Sequence, residues 1–326
     1  MKGGGLGVPH LECLAARVRD GRVADAASWA ADQAAIYGLG LGLLETLRYL
    51  NGSRPTLDDF ESWIFEQNGG DLPPERIAAV NASVRRALAG DRTPLVDPDL
   101  PAPLDAEDLR FWEQNGYVVL RRAVAAEDCA TAARALWDFL GMRPDAPDGW
   151  YACSPREGIW VPLVRHPAFD ANRASARIRG AFAQLWGTSD LIVTVDRGGF
   201  NPPERPRNPF AGQGLHWDTS LSSPMPLGLQ GILYLTDTPV YQGAFRCVPG
   251  FHRRIGDWLA ALPPGANARD QDLSDEAVCV AGQAGDMVIW HAALPHGASP
   301  NRGTAPRLVQ YITYFPPGRV DSRPWV

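Results

Sequence analysis

The sequence predicts a mainly β protein with flanking helices, in which an N-terminal helical extension precedes an antiparallel β sandwich or barrel. Three observations carry this. Alanine- and leucine-rich runs with mixed three- and four-residue apolar steps fill the first 90 residues, the proline-dense stretch DRTPLVDPDLPAPLDAED then shows no apolar period, and the later chain is a succession of short apolar runs punctuated by Gly, Pro, Asn and Asp. The division falls near residue 95, giving a helical extension over 1–95 and a β domain over 96–326.

Within the extension, LECLAARVRD and VADAASWAADQAAIYGLGLGLLETLRYL predict two or three helices between His10 and Leu50. Thr56 precedes LDDFESWIFEQ in the manner of an N-cap with early acids, and Pro73-Pro74 opens a further helix that Gly90 closes. FEQNGG recurs as WEQNGY, but the flanks do not match, so both are read as helix-ending Asn-Gly chemistry rather than a repeat. From Leu104 a helix ending at Gly116 leads into the strand YVVLRRAV and the amphipathic helix AAEDCATAARALWDFLGM. An irregular stretch from Trp150 to Pro167, a helix ANRASARIRGAFAQLWG and a strand LIVTVDRG follow. The remaining strands are LHWDTSL, LQGILYLTD, AFRCVPG, AVCVAG, DMVIWHA and RLVQYITYF, with GDWLAALPPG as a brief helical insert.

Composition narrows the function. With 326 residues, 45% hydrophobic and 21% charged, the chain can bury a sizeable core, and its net charge of -6 makes nucleic acid and anionic membrane surfaces poor partners. Lys2 is the sole lysine among 31 basic residues, which effectively excludes Schiff-base and P-loop lysine chemistry. Cys13, Cys129, Cys153, Cys247 and Cys279 are scattered and lack C-x-x-C spacing, so they read as reduced packing residues. No charged n-region followed by an apolar core opens the chain, and the apolar run from Tyr37 to Leu44 is too short to span a bilayer. These features predict a soluble, cytoplasmic enzyme for a small-molecule substrate, with a homodimer left open.

The chemistry centres on GLHWDTS, Gly214 to Ser220. In an extended chain residues i and i+2 share a face, so His216 and Asp218 would emerge side by side as two thirds of a facial metal site. A second histidine would complete a set suited to non-heme Fe(II) with three open positions. Three histidines lie downstream. His252 follows PGF in a turn-rich segment, where backbone hydrogen bonding is the commoner fate, and periodicity does not choose between His291 and His296 in DMVIWHAALPHG.

The segments FWEQNGYVVLRRAVAAEDC, the H-x-D pair, QGAFRCVPGFH and GDMVIWHAALPHGASPNRGTAPRLVQYITYF occur in an order that resembles the phytanoyl-CoA dioxygenase family of Fe(II)- and 2-oxoglutarate-dependent oxygenases. The likeness covers roughly residues 104–317 and leaves out the extension. It implies a double-stranded β-helix core of the jelly-roll, cupin-like kind, with His216, Asp218 and His296 as the catalytic iron ligands. Arg307, eleven residues beyond His296, would then grip the remote carboxylate of 2-oxoglutarate, a role suited to a planar guanidinium. The implied cofactors are Fe(II), 2-oxoglutarate as cosubstrate and O2, and the implied reaction is hydroxylation of an unactivated C–H bond with release of succinate and CO2. Asp218 argues against halogenation, since related halogenases carry a small residue there. One departure is Ala298, where many members carry serine; Ser299 would face the other way, so a hydroxyl contact to the cosubstrate is either lost or supplied elsewhere, as by Thr238 or Tyr234.

Candidate substrate residues are Arg197, Trp217 and Trp290, together with Asp196 and the loop GGFNPPERPRNPF, while Trp150, Trp160 and Arg165 could form a lid. Two rival functions use the same fold: a catalytically silent metal- or 2-oxoglutarate-binding protein, and a cupin-like Zn(II) isomerase or hydrolase, which would need no arginine clamp.

Overall fold

The computed structural model describes residues 5–152 and 156–326. Lys2 and Cys153 lie outside the described residues. In chain order the elements are α1 His10–Arg19, α2 Ala26–Gly38, α3 Leu43–Ser53, α4 Leu57–Gln67, α5 Pro74–Ala89, α6 Ala106–Asn115, β1 Tyr117–Leu120, α7 Ala126–Leu140, β2 Trp160–Val161, α8 Pro167–Arg173, α9 Ala176–Trp186, β3 Ile192–Val193, β4 Gly198–Asn201, β5 Leu229–Tyr234, β6 Phe245–Cys247, α10 Phe251–Ala261, β7 Val278–Val280, β8 Met287–His291, β9 His296–Ala298, β10 Arg307–Tyr311 and β11 Tyr314–Phe315. Helices take up more of these residues than strands, and among them no helix is long and apolar enough to cross a membrane.

Local chemistry sets several boundaries. Thr56 and Asp59 form a capping box at the start of α4, and Asp105 and Asp108 form another at α6. Pro74 sits at the first turn of α5, whose end is Gly90 in the left-handed region. Gly116 ends α6 at φ 74, and a Cβ there would also meet His252 Nδ1 at 2.4 Å, so the position excludes other residues twice over.

Two compact units result. The first comprises Met1–Asp97, Trp186–Asp196 and Tyr314–Ser322. Its core packs α2 against α5 through the small face Ala30, Ala31, Ala34 and Ala35, with Leu11, Leu14, Leu39, Phe60, Ile64, Val80 and Val84 around it. Tyr49 stacks on Trp63 at 4.4 Å. The antiparallel pair β3–β11, drawn from two later stretches of chain, adds Ile192 and Phe315 to this core.

The second unit comprises Pro98–Leu185, Arg197–Thr313 and Arg323–Val326. A six-stranded sheet of order β1-β8-β5-β10-β4-β2 faces a three-stranded sheet of order β7-β6-β9, every pairing being antiparallel. An isolated bridge between His216 and His296 adds a fourth position to the smaller sheet. From β4 through His216 to β10 the chain alternates between the sheets at every step except the β6–β7 connection, which is the winding of a double-stranded β-helix. Residues of alternate parity on β10 divide its two faces. Val309 and Tyr311 join the interior cluster with Ile232, Tyr234, Phe245, Trp290 and Trp217, while Gln310 bonds Asn172 and the Phe169 carbonyl of α8 on the outer face.

Several elements differ from expectation. LHWDTSL forms no strand, and among the described residues its backbone joins the smaller sheet through the isolated His216–His296 bridge. ANRASARIRGAFAQLWG divides into α8 and α9, because Ser175 Oγ takes the Ile178 N–H and caps a new start. GGFN, expected as loop, forms β4, and the helical insert runs longer, as α10. Of the described cysteines Cys129 and Cys247 are buried in the core, but Cys13 and Cys279 are exposed.

Candidate metal centre

His216 and His296 are a doubly hydrogen-bonded pair: His216 N donates to His296 O at 2.9 Å and His296 N to His216 O at 3.0 Å. Directly opposed residues of such a pair project to the same face, and the two imidazoles lie 4.8 Å apart between centroids. Each Nδ1 is occupied by a nearby backbone carbonyl, Gly214 O at 2.8 Å for His216 and Leu294 O at 3.0 Å for His296. That contact orients each ring so that Nε2 is the nitrogen turned toward Asp218 and available to a cation.

Asp218 supplies the third group. Its Oδ1 is 3.6 Å from His216 Nε2 and its Oδ2 3.3 Å from His296 Nε2, and the three ligand atoms all lie within 4.8 Å of one another. Burial and then the neighbouring His296 charge lower the pKa of His216, which keeps it neutral and ready to ligate near neutrality. Burial pushes the Asp218 carboxyl up, but the hydrogen bond and charge of His296, the Gln230 amide and His216 outweigh it, so the group is held well below the usual carboxylate range. Two imidazoles and one carboxylate form the donor set of a 2-His-1-carboxylate facial site.

Deeper in the same barrel, Arg307 is 2% exposed, and its Nε and Nη2 have no hydrogen-bond partner. A buried guanidinium without a counter-charge is costly, and its flat fork suits a carboxylate held by two hydrogen bonds. Ser299 Oγ is likewise buried and unpartnered. The two hydroxyls suggested as stand-ins for a serine at Ala298 are committed elsewhere. Tyr234 donates to Val280 O and accepts from Phe245 N, and Thr238 donates to Thr236 O. A metal at the triad and a dicarboxylate reaching Arg307 thus fit the residues present.

The other sequence candidates sit as follows. His252 and His291 lie 5.3 Å apart beside Trp112, and His252 Nε2 contacts Glu113 O, so this pair forms its own aromatic cluster while His296 joins the triad. Trp217 donates to Ala293 O and packs against Phe251 and Trp258 of α10. Trp290 packs 4.5 Å from Phe245 and 5.0 Å from His296, forming a wall of the site. The Arg197 guanidinium lies 5.4 Å from the Trp160 ring centre. Trp150 is buried and donates to Arg143 O, and Arg165 Nη1 is buried with no partner.

Two features escaped the sequence. Gln230 on β5 donates to Asp218 Oδ2 at 2.8 Å; a lone glutamine in an apolar strand carries no signal beyond its polarity. The loop after Asp218 is tied to residues 323–326: Arg323 donates to the carbonyls of Ser220 and Ser222, Ser220 Oγ to Pro324 O, and Leu221 N to Val326 O. Arg269 joins the Trp217, Thr219 and Val326 carbonyls in one fork. No sequence spacing announces contacts between stretches so far apart in the chain.

The profile of the phytanoyl-CoA dioxygenase (PhyH) family matches residues 112–309. A Dictyostelium discoideum protein carrying the phytanoyl-CoA dioxygenase name is 22% identical over 264 residues, covering 65% of this chain and 76% of its own. The ectoine dioxygenase of Nocardia farcinica is 21% identical over 251 residues, covering 67% and 80%. Among solved structures, the epimerase SnoN in complex with Fe3+, alpha ketoglutarate and nogalamycin RO aligns with a TM-score of 0.47 and 19% identity over 64% of this chain and 82% of that one.

Proposed function

We propose, from the premise that this chain belongs to the phytanoyl-CoA dioxygenase family and is an oxygenase of the non-heme iron, 2-oxoglutarate-dependent class, that it hydroxylates an unactivated C–H bond of a small metabolite. His216, Asp218 and His296 hold the iron, Arg307 binds the remote carboxylate of 2-oxoglutarate, and the enzyme works in the cytoplasm. The convergence of the two Nε2 atoms and the Asp218 carboxylate, with both Nδ1 atoms locked on backbone carbonyls, carries this reading.

Fe(II) with 2-oxoglutarate and O2 supplies the oxidising chemistry, in which the cosubstrate is decarboxylated to succinate and CO2 and one oxygen atom goes to the substrate. The chain does the rest. His216 and His296 arrive with their rings oriented by the Gly214 and Leu294 carbonyls, Nε2 turned toward Asp218. Arg307, held on a central strand, fixes the register of the cosubstrate by its far end. Trp290 and Phe245 pack around His296 and keep water from that side. Arg197, which stacks over Trp160, is the residue assigned to a polar substrate group in this reading.

The test is succinate release from 2-oxoglutarate by Fe(II)-loaded protein, with and without candidate metabolites. Wild type is expected to release succinate slowly alone and faster with the right substrate, and His296→Ala to release none. Release by His296→Ala at the wild-type rate would remove the proposed centre.

A further inference from the structure

The Asp218 carboxylate is held by two linked side chains to which the iron reading gives no role. Gln230 Nε2 donates to Asp218 Oδ2 at 2.8 Å, and Trp290 Nε1 donates to Gln230 Oε1 at 3.2 Å. Gln230 and Trp290 are register partners on the adjacent strands β5 and β8, so a central part of the sheet sets their spacing. A glutamine amide fits its site either way round by shape, but its two ends differ in chemistry. An indole N–H can only donate. Trp290 therefore draws the carbonyl end of Gln230 and turns the NH2 end toward Asp218. At 3% exposed, and packed 4.5 Å from Phe245, the indole has no room to swing away.

The surroundings of Asp218 make this contact matter. Its side chain is half exposed, and its backbone belongs to no strand. Its other partners are the Nε2 atoms of His216 and His296, the same atoms a metal would take. Once those turn to the ion, Gln230 is what remains to orient the carboxylate.

We propose that Gln230, itself oriented by Trp290, is a positioning residue that reserves Asp218 Oδ2, so that the carboxylate offers the metal one oxygen, Oδ1. The proposal rests on His216, Asp218 and His296 being the iron ligands. A carboxylate free to bind through both oxygens would occupy one of the three open positions, leaving two for a two-oxygen cosubstrate and none for O2. Gln230 thereby keeps the open positions of the site open.

The test uses Co(II), whose visible spectrum reports coordination number, titrated into full-length wild type, Gln230→Leu and Trp290→Phe, each with and without 2-oxoglutarate and each checked for folding by circular dichroism. Gln230→Leu is expected to bind Co(II) about 10-fold or more weakly, the usual scale for losing a partner of a metal ligand, and to show an altered Co(II) spectrum both without and with 2-oxoglutarate. Trp290→Phe keeps the ring but frees the amide, and is expected to move the same quantities less. A folded Gln230→Leu protein with wild-type spectrum and affinities overturns the proposal, even if its melting temperature drops. Wild-type values for Trp290→Phe alone overturn the role given to Trp290. Folded wild type that takes up no Co(II) overturns the ligand reading itself, and the proposal with it.

Discussion

The helical unit and the β unit bury charge in opposite ways. In the helical unit Asp32 receives both His10, at 2.8 Å, and Arg17, so three buried or nearly buried groups satisfy one another. In the β unit Arg307 is as deeply buried, yet two of its nitrogens are unpartnered, and His216 and His296 turn their Nε2 atoms to a half-exposed carboxylate. The first arrangement is complete within the chain and holds a fold together. The second is complete only with a ligand, and the barrel around it provides the rigidity that makes an unpaired guanidinium tolerable.

Substitution separates the two. Asp32→Ala leaves a buried arginine and histidine uncompensated and is expected to cost about 3–5 kcal/mol in urea unfolding. Arg307→Met replaces an unpaired charge by an apolar chain. It is expected to leave stability unchanged or slightly raised, while weakening 2-oxoglutarate roughly 10- to 100-fold, the worth of a charge-assisted hydrogen bond at about 1.5–3 kcal/mol. A large stability loss in Arg307→Met would erase the contrast. Deleting residues 323–326 removes the ties on Ser220, Leu221 and Ser222. It should weaken Co(II) binding by a few-fold, roughly 1 kcal/mol for the hydrogen bonds lost, and speed proteolysis between residues 219 and 225.

The smallest effect is one of pH. Burial, with the charge of Arg253, lowers the His252 pKa below its ordinary 6.5. Below pH 6.5 the unfolded chain therefore binds protons that the folded chain does not, and stability falls as pH drops through that window. His216 contributes with the same sign. His252→Gln is expected to flatten the decline in melting temperature between pH 7.5 and 5, leaving the part due to His216; an unchanged slope would show that His252 contributes none of it.

Local features were legible in the sequence because they are written in adjacent residues. Thr56 and Gly90 mark helix ends, Gly116 separates α6 from β1, and most apolar runs become strands. His216 and Asp218 stood out by their spacing, although the expected strand geometry is not what unites them. Long-range pairing was not legible. His216 meets His296 through a bridge, β3 and β11 join the helical unit from distant stretches, and Gln230 reaches Asp218 across the barrel mouth. Periodicity could not rank His291 against His296 because both lie in one apolar run, and only the pairing of β8 with β1 and β5, and of β9 with β6, separates them.

The central claim is that His216, Asp218, His296 and Arg307 together hold Fe(II) and 2-oxoglutarate. Its most direct test is anaerobic titration of the full-length protein with Fe(II) and then 2-oxoglutarate, followed in the visible spectrum. A weak metal-to-cosubstrate charge-transfer band should appear with wild type, require more 2-oxoglutarate with Arg307→Met, and be absent with His296→Ala. Folded wild type that binds Fe(II) but develops no band at saturating 2-oxoglutarate would contradict it.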